Sequence, residues 1–284
     1  MWRLAWVRLA GAPRCSAAVA SFVVLDNTDS PLDAPGLFDE IQRLTHQSLT
    51  HLAERTVGFE GGFALRTSSL PLVWTLNQVR LARATTAEEV AALADQHQDG
   101  LPFRHVVVEG EHGAPLVEPL TAAGFWSERE VVMAMTQPID RAVDTSGVVE
   151  LTESQMLQLM REWLLEERAE ITDEGLEQVV EYSRREGALF AETRFGIIDG
   201  ATPLAITKLR TSGRVAWLED VYTTASARGR GFARALLAEA VTVAWVSSPS
   251  FAFIIADDDD WPKELYGRVG FAPVGFNRTF HRGG

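Results

Sequence analysis

The chain reads as an α/β protein of two domains, each a mixed central sheet flanked by helices. Three observations carry that reading. Short apolar runs rich in aromatic and branched residues alternate with helical patterns through the second half. A buried strand runs through a glycine-containing loop into a helix at Val221-Tyr222-Thr223-Thr224-Ala225-Ser226-Ala227-Arg228-Gly229-Arg230-Gly231-Phe232-Ala233. A strand–helix–Gly-Phe–strand unit occurs twice, with Gly124 and Gly270 separated by about half the chain. An unrelated unit of the same kind would produce the same echo. The boundaries expected are 1–140 and 141–284, with 137–147 (Pro138, Asp140, Asp144, Ser146, Gly147) as linker.

The second half can be followed element by element. Val148–Leu151 is strand-like. Thr152 followed by Gln155 is a capping-box pattern opening a helix to about Arg168, with Met156, Leu159, Met160, Trp163 and Leu164 on one face. Thr172 caps a second helix ending at Gly187. Strands are expected at Leu189–Ile198 and Leu204–Leu209 about an Asp199-Gly200 turn, then at Val215–Thr223 after Ser212-Gly213. Phe251–Ala256 is a buried strand, and Pro262 suits the first turn of a helix that stops at Gly270-Phe271. In the first half, Phe103–Val108, a helix to Ala123 and Glu130–Met135 form the earlier unit. Near the start, Arg3 and Arg8 precede Ala18-Val19-Ala20 as in a secretory signal. Gly11, Pro13 and Arg14 interrupt the apolar stretch, so a first strand is the better reading.

The loop before Phe232 is built for an anion. A helix N-terminus presents unpaired N–H groups and the positive end of a dipole. Gly229 and Gly231 permit positive φ and close approach to the main chain, and Arg228 and Arg230 add charge. No Lys-Ser or Lys-Thr follows Gly231, which excludes a Walker A loop, and Arg234 stands where a dinucleotide fingerprint needs Gly or Ala. Arg/Gln-x-x-Gly-x-Gly/Ala is satisfied by Arg228, Gly231 and Ala233. This resembles motif A of the GNAT superfamily of N-acetyltransferases, with Ala225 in place of a frequent proline. Leu265-Tyr266 followed by Gly270-Phe271 resembles motif B, and the similarity extends over about 148–284.

The resemblance implies a fold, a co-substrate and roles. Acetyl-CoA is held by Val221, Tyr222 and Thr223 along its pantetheine arm and by Arg228, Gly229, Arg230, Gly231, Phe232 and Ala233 at its pyrophosphate. Asp259 stands at a contact where the family often has Asn, and Pro262 replaces a common Ala. Tyr266 is the candidate general acid. Glu219 or Asp220 is the candidate base; successive strand residues face opposite ways, so one of the two is expected to address the acceptor. The acceptor is a primary amine of a small molecule or an amino terminus, attacked directly in a ternary complex. Glu166, Glu167 and Glu170 fall where the family lines the acceptor pocket, as against a solvated helix end. Tandem members exist in this superfamily, and the first half would be a degenerate copy with Leu120 in place of Tyr266 and no glycine loop.

Composition narrows the partners. The formal charge is −13, shared by both halves, which argues against nucleic acid and suits a cationic acceptor. Cys15 is the one cysteine, so no internal disulfide or multi-Cys zinc site is expected. Consecutive carboxylates Asp257–Asp260 fan apart, the histidines lack ligand spacing, and no metal is expected. No run is long enough to span a membrane, and a cytoplasmic location with a homodimer among the partners is the expectation. Two rival readings stand beside the enzyme: a non-catalytic acyl-CoA-binding or regulatory module, and a first half acting as a dimerisation or capping platform.

Overall fold

Among the described residues eleven strands join in a mixed sheet in the order β1-β2-β3-β4-β11-β5-β10-β9-β8-β7-β6. The computed structural model describes residues 32–136, 139, 142–168 and 170–283. The first half contains α1 (Ala34–Leu52), β1 (Arg55–Phe59), β2 (Gly62–Arg66), β3 (Val79–Leu81), α2 (Ala87–His97), β4 (Phe103–Glu109), α3 (Val117–Ala122) and β5 (Trp126–Met135). The second contains β6 (Val149–Glu150), α4 (Glu153–Glu167), α5 (Asp173–Gly187), β7 (Ala191–Asp199), β8 (Thr202–Ser212), β9 (Val215–Thr223), α6 (Phe232–Val246), β10 (Phe251–Asp257), α7 (Pro262–Arg268) and β11 (Ala272–Gly283). The N-terminal strand expectation and Cys15 lie outside the described residues.

Local chemistry sets most boundaries. Thr152 and Gln155 form the reciprocal capping box of α4, and Thr172 Oγ1 accepts from Gly175 N at 3.1 Å to start α5. Asp33 caps α1 by accepting from Gly36 N at 2.9 Å. The helix expected up to Ala123 begins instead as a 3-10 stretch, Gly110–Leu116, since Pro115 has no N–H to donate. The strand expected at 148–151 contracts to β6 at the sheet edge, where one neighbour supplies all its pairing.

Two self-contained sheets were the expectation; the chain instead exchanges the last strand of each half. β11 lies between β4 and β5, antiparallel to both, and β5 lies between β11 and β10. Each half thus ends on the other half's open strand edge, which removes two unpaired edges from the middle of the molecule. The turns that launch these strands match. Phe125 N donates to Leu120 O at 2.9 Å with Gly124 at φ 81°, and Phe271 N donates to Tyr266 O at 3.0 Å with Gly270 at φ 104°. Both glycines sit in the left-handed region that terminates a helix cheaply only without a Cβ.

Strand alternation divides the core between two faces. Val131, Met133 and Met135 of β5 pack with Leu236, Leu237, Val241 and Tyr266 of α6 and α7. Val132 and Ala134 turn to the opposite face, with Leu37 and Ile41 of α1 and Phe251 and Phe253 of β10. On that second face α4 and α5 also pack, against Ile206, Tyr222 and one another. The acidic and basic side chains described next lie beneath α1, α4 and α5.

Candidate active site

β9 and β10 are paired in parallel only from Phe251↔Val215 to Phe253↔Trp217. Beyond that point the two strands part, while β9 stays bonded to β8 as far as Thr223. The widening cleft runs towards the loop before α6. Gly229 and Gly231 have φ of 77° and 82°, and a Cβ at either would meet no atom within 4 Å. The glycines therefore serve backbone conformation, and the space above them is open. Gly231 is the N-cap of α6, with neither a side-chain cap nor an acid in the first turn. Exposed N–H groups, a fifteen-residue helix and two arginines make a cradle that fits a diphosphate. Arg230 lies over the Phe232 ring at 4.5 Å. Arg228 is drawn aside: Nη2 donates to Glu166 Oε1 at 2.6 Å and Nε to Thr223 O at 3.1 Å.

Val221 lies in a β-bulge, and Tyr222 and Thr223 follow it. Lys208 pairs with Glu219 and Ile206 with Tyr222, so Asp220 and Val221 together oppose Thr207. Asp220 absorbs the extra residue at φ 52°, rare for a side chain that is not glycine. The bulge overturns the expectation that Glu219 and Asp220 face opposite ways, because both line the same cavity. Tyr222 is buried and donates its hydroxyl to Glu166; burial pushes its phenol up to about 12, reinforced by that carboxylate.

Glu219 belongs to a charged cluster that the sequence reading missed. Arg210, 1% exposed, ion-pairs with Glu219, with Glu186 at 2.9 Å and with Glu192 at 2.9 Å. Lys208 pairs with Asp220 at 2.5 Å and donates to Ser183 Oγ at 2.8 Å. Burial pushes the Glu219 carboxyl up to about 8; Glu186 and Asp220 add repulsion, and Arg210 and Lys208 oppose it. A carboxylate with that affinity for protons is suited to accept one near neutrality. The signal was available: Lys208 and Arg210 are two residues apart in an apolar strand, hence on one buried face, and must find carboxylates there.

Tyr266 is 6% exposed in the α6–α7 core beside the diverging strands, and burial with the Asp260 carboxylate raises its phenol above the usual value. Of the acidic run, Asp258 is buried: burial opposes its charge, but Lys263 and Arg129 hold its carboxyl below the ordinary value. It ties α7 and β5 together. Asp259 is exposed, its N–H donating to Asp257 Oδ1 at 2.8 Å. Among the described residues no group of three or more His, Asp or Glu is placed to hold a metal ion, and no helix is long and apolar enough to cross a membrane.

A cavity of about 460 Å³ lies between the sheet and α1, α4 and α5, with walls from both halves. Glu219, Asp220, Glu186, Lys208 and Trp217 come from the second half. Arg80, Glu130, Ser48, Gln78 and His105 come from the first, and Asn277 and Thr279 from the exchanged strand β11. None of these first-half residues was singled out as a site residue by the sequence, because their convergence depends on strand exchange.

Part of the chain matches a family model, and the fold has likenesses among solved structures. Residues 154–271 match the model of the acetyltransferase (GNAT) family. The fold is similar to that of a functionally unknown conserved protein from Staphylococcus epidermidis (TM-score 0.61, 12% identity, 81% of this chain and 94% of that one). It is also similar to a GCN5-related N-acetyltransferase from Kribbella flavida (TM-score 0.59, 18% identity, 87% and 96% covered). A Drosophila protein gives a TM-score of 0.55 at 13% identity over 88% and 90%. All three likenesses extend over both halves. No curated protein matches the chain by sequence.

Proposed function

We propose that the protein transfers the acetyl group of acetyl-CoA to a primary amine of a small molecule or an amino terminus. The observation that carries this reading is the cleft where β9 and β10 part, which leads from the open N-terminus of α6 to Glu219 at the cavity. Gly229, Gly231 and the first N–H groups of α6 would hold the pyrophosphate, with Arg230, and with Arg228 once released from Glu166. Val221–Thr223 would pair with the pantetheine arm, and Asp259 lies beyond the opposite strand as a further contact. The bound thioester supplies an activated acetyl carbon. A β9 amide freed by the divergence would polarise its carbonyl.

Glu219, assisted by Asp220, takes a proton from the acceptor ammonium. The amine nitrogen then bonds to the acetyl carbon as the carbon–sulfur bond breaks, and Tyr266 gives its phenolic proton to the departing sulfur. The nitrogen's second proton restores Tyr266 by way of solvent. Attack is read as direct, since Cys15, the one thiol of the sequence, lies outside the half that carries the glycine loop and Tyr266. We read 1–140 as a degenerate copy of 141–284, supported by the recurrent element order, the matched turns at Gly124 and Gly270 and the reciprocal strand exchange.

Calorimetric titration of acetyl-CoA into the full chain, followed by thiol release in the presence of an amine panel, tests the reading. One binding site and amine-dependent thiol release are expected. Binding without release by any amine would favour the acyl-CoA-binding module, and no binding would overturn both.

A further inference from the structure

The cavity carries more negative charge than its own cations can match. Four carboxylates line it, Glu130, Glu186, Glu219 and Asp220, against two cations, Arg80 and Lys208. Lys208 is committed to Asp220, and Glu186 and Glu219 share Arg210 from behind the wall. Arg80 is held by Glu109 and donates to Gln42 Oε1 at 2.8 Å, and Glu109 also meets His46 Nε2 at 2.5 Å. That leaves Glu130. Among the described residues it has no ion pair; its one side-chain partner is Asn277, whose Oδ1 accepts from Gln42 Nε2 at 2.5 Å. A half-buried carboxylate with no cation in contact, only the charge of Arg80 acting on it from a distance, is costly to keep ionised, and evolution tolerates it where a ligand supplies the charge.

Three further buried polar atoms on the cavity wall have no hydrogen-bond partner among the described residues. They are Ser48 Oγ, Gln78 Oε1 and Trp217 Nε1. Ser48 and Gln78 are each 2% exposed, so bulk solvent does not satisfy them. On the first-half wall the unmet groups can all accept a hydrogen bond, as Glu130 does, which suits a ligand that donates.

Position in the sheet sets the spacing. Glu130 of β5 pairs with Asp257 of β10, and β10 is the neighbour of β9, which carries Glu219. Continued along β9 and β10, the pairing puts Glu219 level with Ile255, two residues short of Asp257, so two strand steps and two residues separate the two acidic positions, about 12 Å, more where β9 and β10 part. Allowing about 2.8 Å for each ammonium–carboxylate contact, a linear diamine of about four to six carbons bridges them.

We propose that the acceptor is a diamine, its reacting nitrogen at Glu219 and its second ammonium held by Glu130 across the seam between the halves. The proposal rests on the acetyl-transfer reading for the reacting end, while Glu130 is a binding group whose role can be measured without turnover. The full chain would be assayed for acetyl-CoA thiol release with linear diamines of three to eight carbons and with monoamines of matched length. At least a tenfold higher kcat/KM is expected for the best diamine. Glu130→Gln, close to isosteric, should remove most of that preference by raising KM for diamines while leaving kcat and the monoamine values unchanged. Calorimetry with the four-carbon diamine, with and without Glu130→Gln, reads the same site directly, and circular dichroism checks the fold of the variant.

Equal use of diamines and monoamines by the wild type, or a preference that survives Glu130→Gln, would overturn the proposal. Diamine binding that depends on Glu130, with no thiol release from any amine, would support the Glu130 site and fault the transfer reading instead. Absence of diamine binding alongside turnover of a monoamine would do the reverse.

Discussion

Helices α2 and α6 occupy corresponding places, each crossing from one strand to its parallel neighbour, yet their N-termini are finished in opposite ways. At α2, Thr86 Oγ1 accepts from Glu89 N at 3.3 Å, and Glu88 and Glu89 stand in the first turn. Arg83 and Thr85 bind the Glu89 carboxylate and hold it down to about 2. The dipole and the free donors of α2 are answered from within the chain. At α6 the cap is Gly231, the first turn holds no acid, and Arg228 and Arg230 lie just before the helix. On the acetyl-CoA reading proposed above, the contrast means that an anion site is made as much by leaving out a cap as by adding glycines.

Separating the halves gives the largest expected effect. Residues 141–284 alone would lose β5 from beside β10 and both β4 and β5 from beside β11, leaving three strand edges bare and an opened core. That fragment should lack cooperative unfolding in a thermal melt, whereas co-expression with 1–140 should restore it. An independently folded fragment would mean that the exchange is dispensable. Gly231→Glu comes next. It places a carboxylate on the pyrophosphate cradle and strains a φ of 82°, so calorimetry should find acetyl-CoA affinity reduced at least a hundredfold.

Replacement of Glu219 by Gln should lower kcat by about a hundredfold. In the wild type the activity should climb as pH rises through about 8, because the base works only after losing its proton. The variant should lack that limb. Tyr266→Phe should slow turnover by roughly ten- to a hundredfold with little change in acetyl-CoA affinity, measured by comparing kcat with calorimetry. The smallest effect sharpens the comparison from the other side. Thr86→Ala should cost about 1 kcal/mol of stability in denaturant melts and leave acetyl-CoA binding untouched; weakened binding would mean that α2 takes part in the site.

What could be read from the sequence was local. The capping box of Thr152 and Gln155, the glycine turns at Gly200 and Gly213 and the run from Val215 into the Gly231 loop are each written within a few residues. The bulge at Asp220 was hidden because nothing in Glu219-Asp220-Val221 departs from an ordinary strand. It arises from register with β8. Glu130 and Asn277 were hidden for a stronger reason. They are register partners across β5 and β11, and no pattern along one strand reports which distant strand will lie beside it. The family resemblance pointed to Glu219 and Asp220 on one wall of the cavity; the other wall belongs to a pairing between halves.

The placement of β11 bears on the birth of the molecule. On a ribosome the first half is complete through β5 while residues 272–283 are still to be made, roughly ten seconds later at ordinary rates of synthesis. Until then β4 and β5 have no strand between them, and the wall that carries Asn277 and Thr279 does not exist. The nascent chain must wait with an open seam, exposed to chaperones and to its neighbours, and it closes by threading residues 272–283 between two strands made long before them.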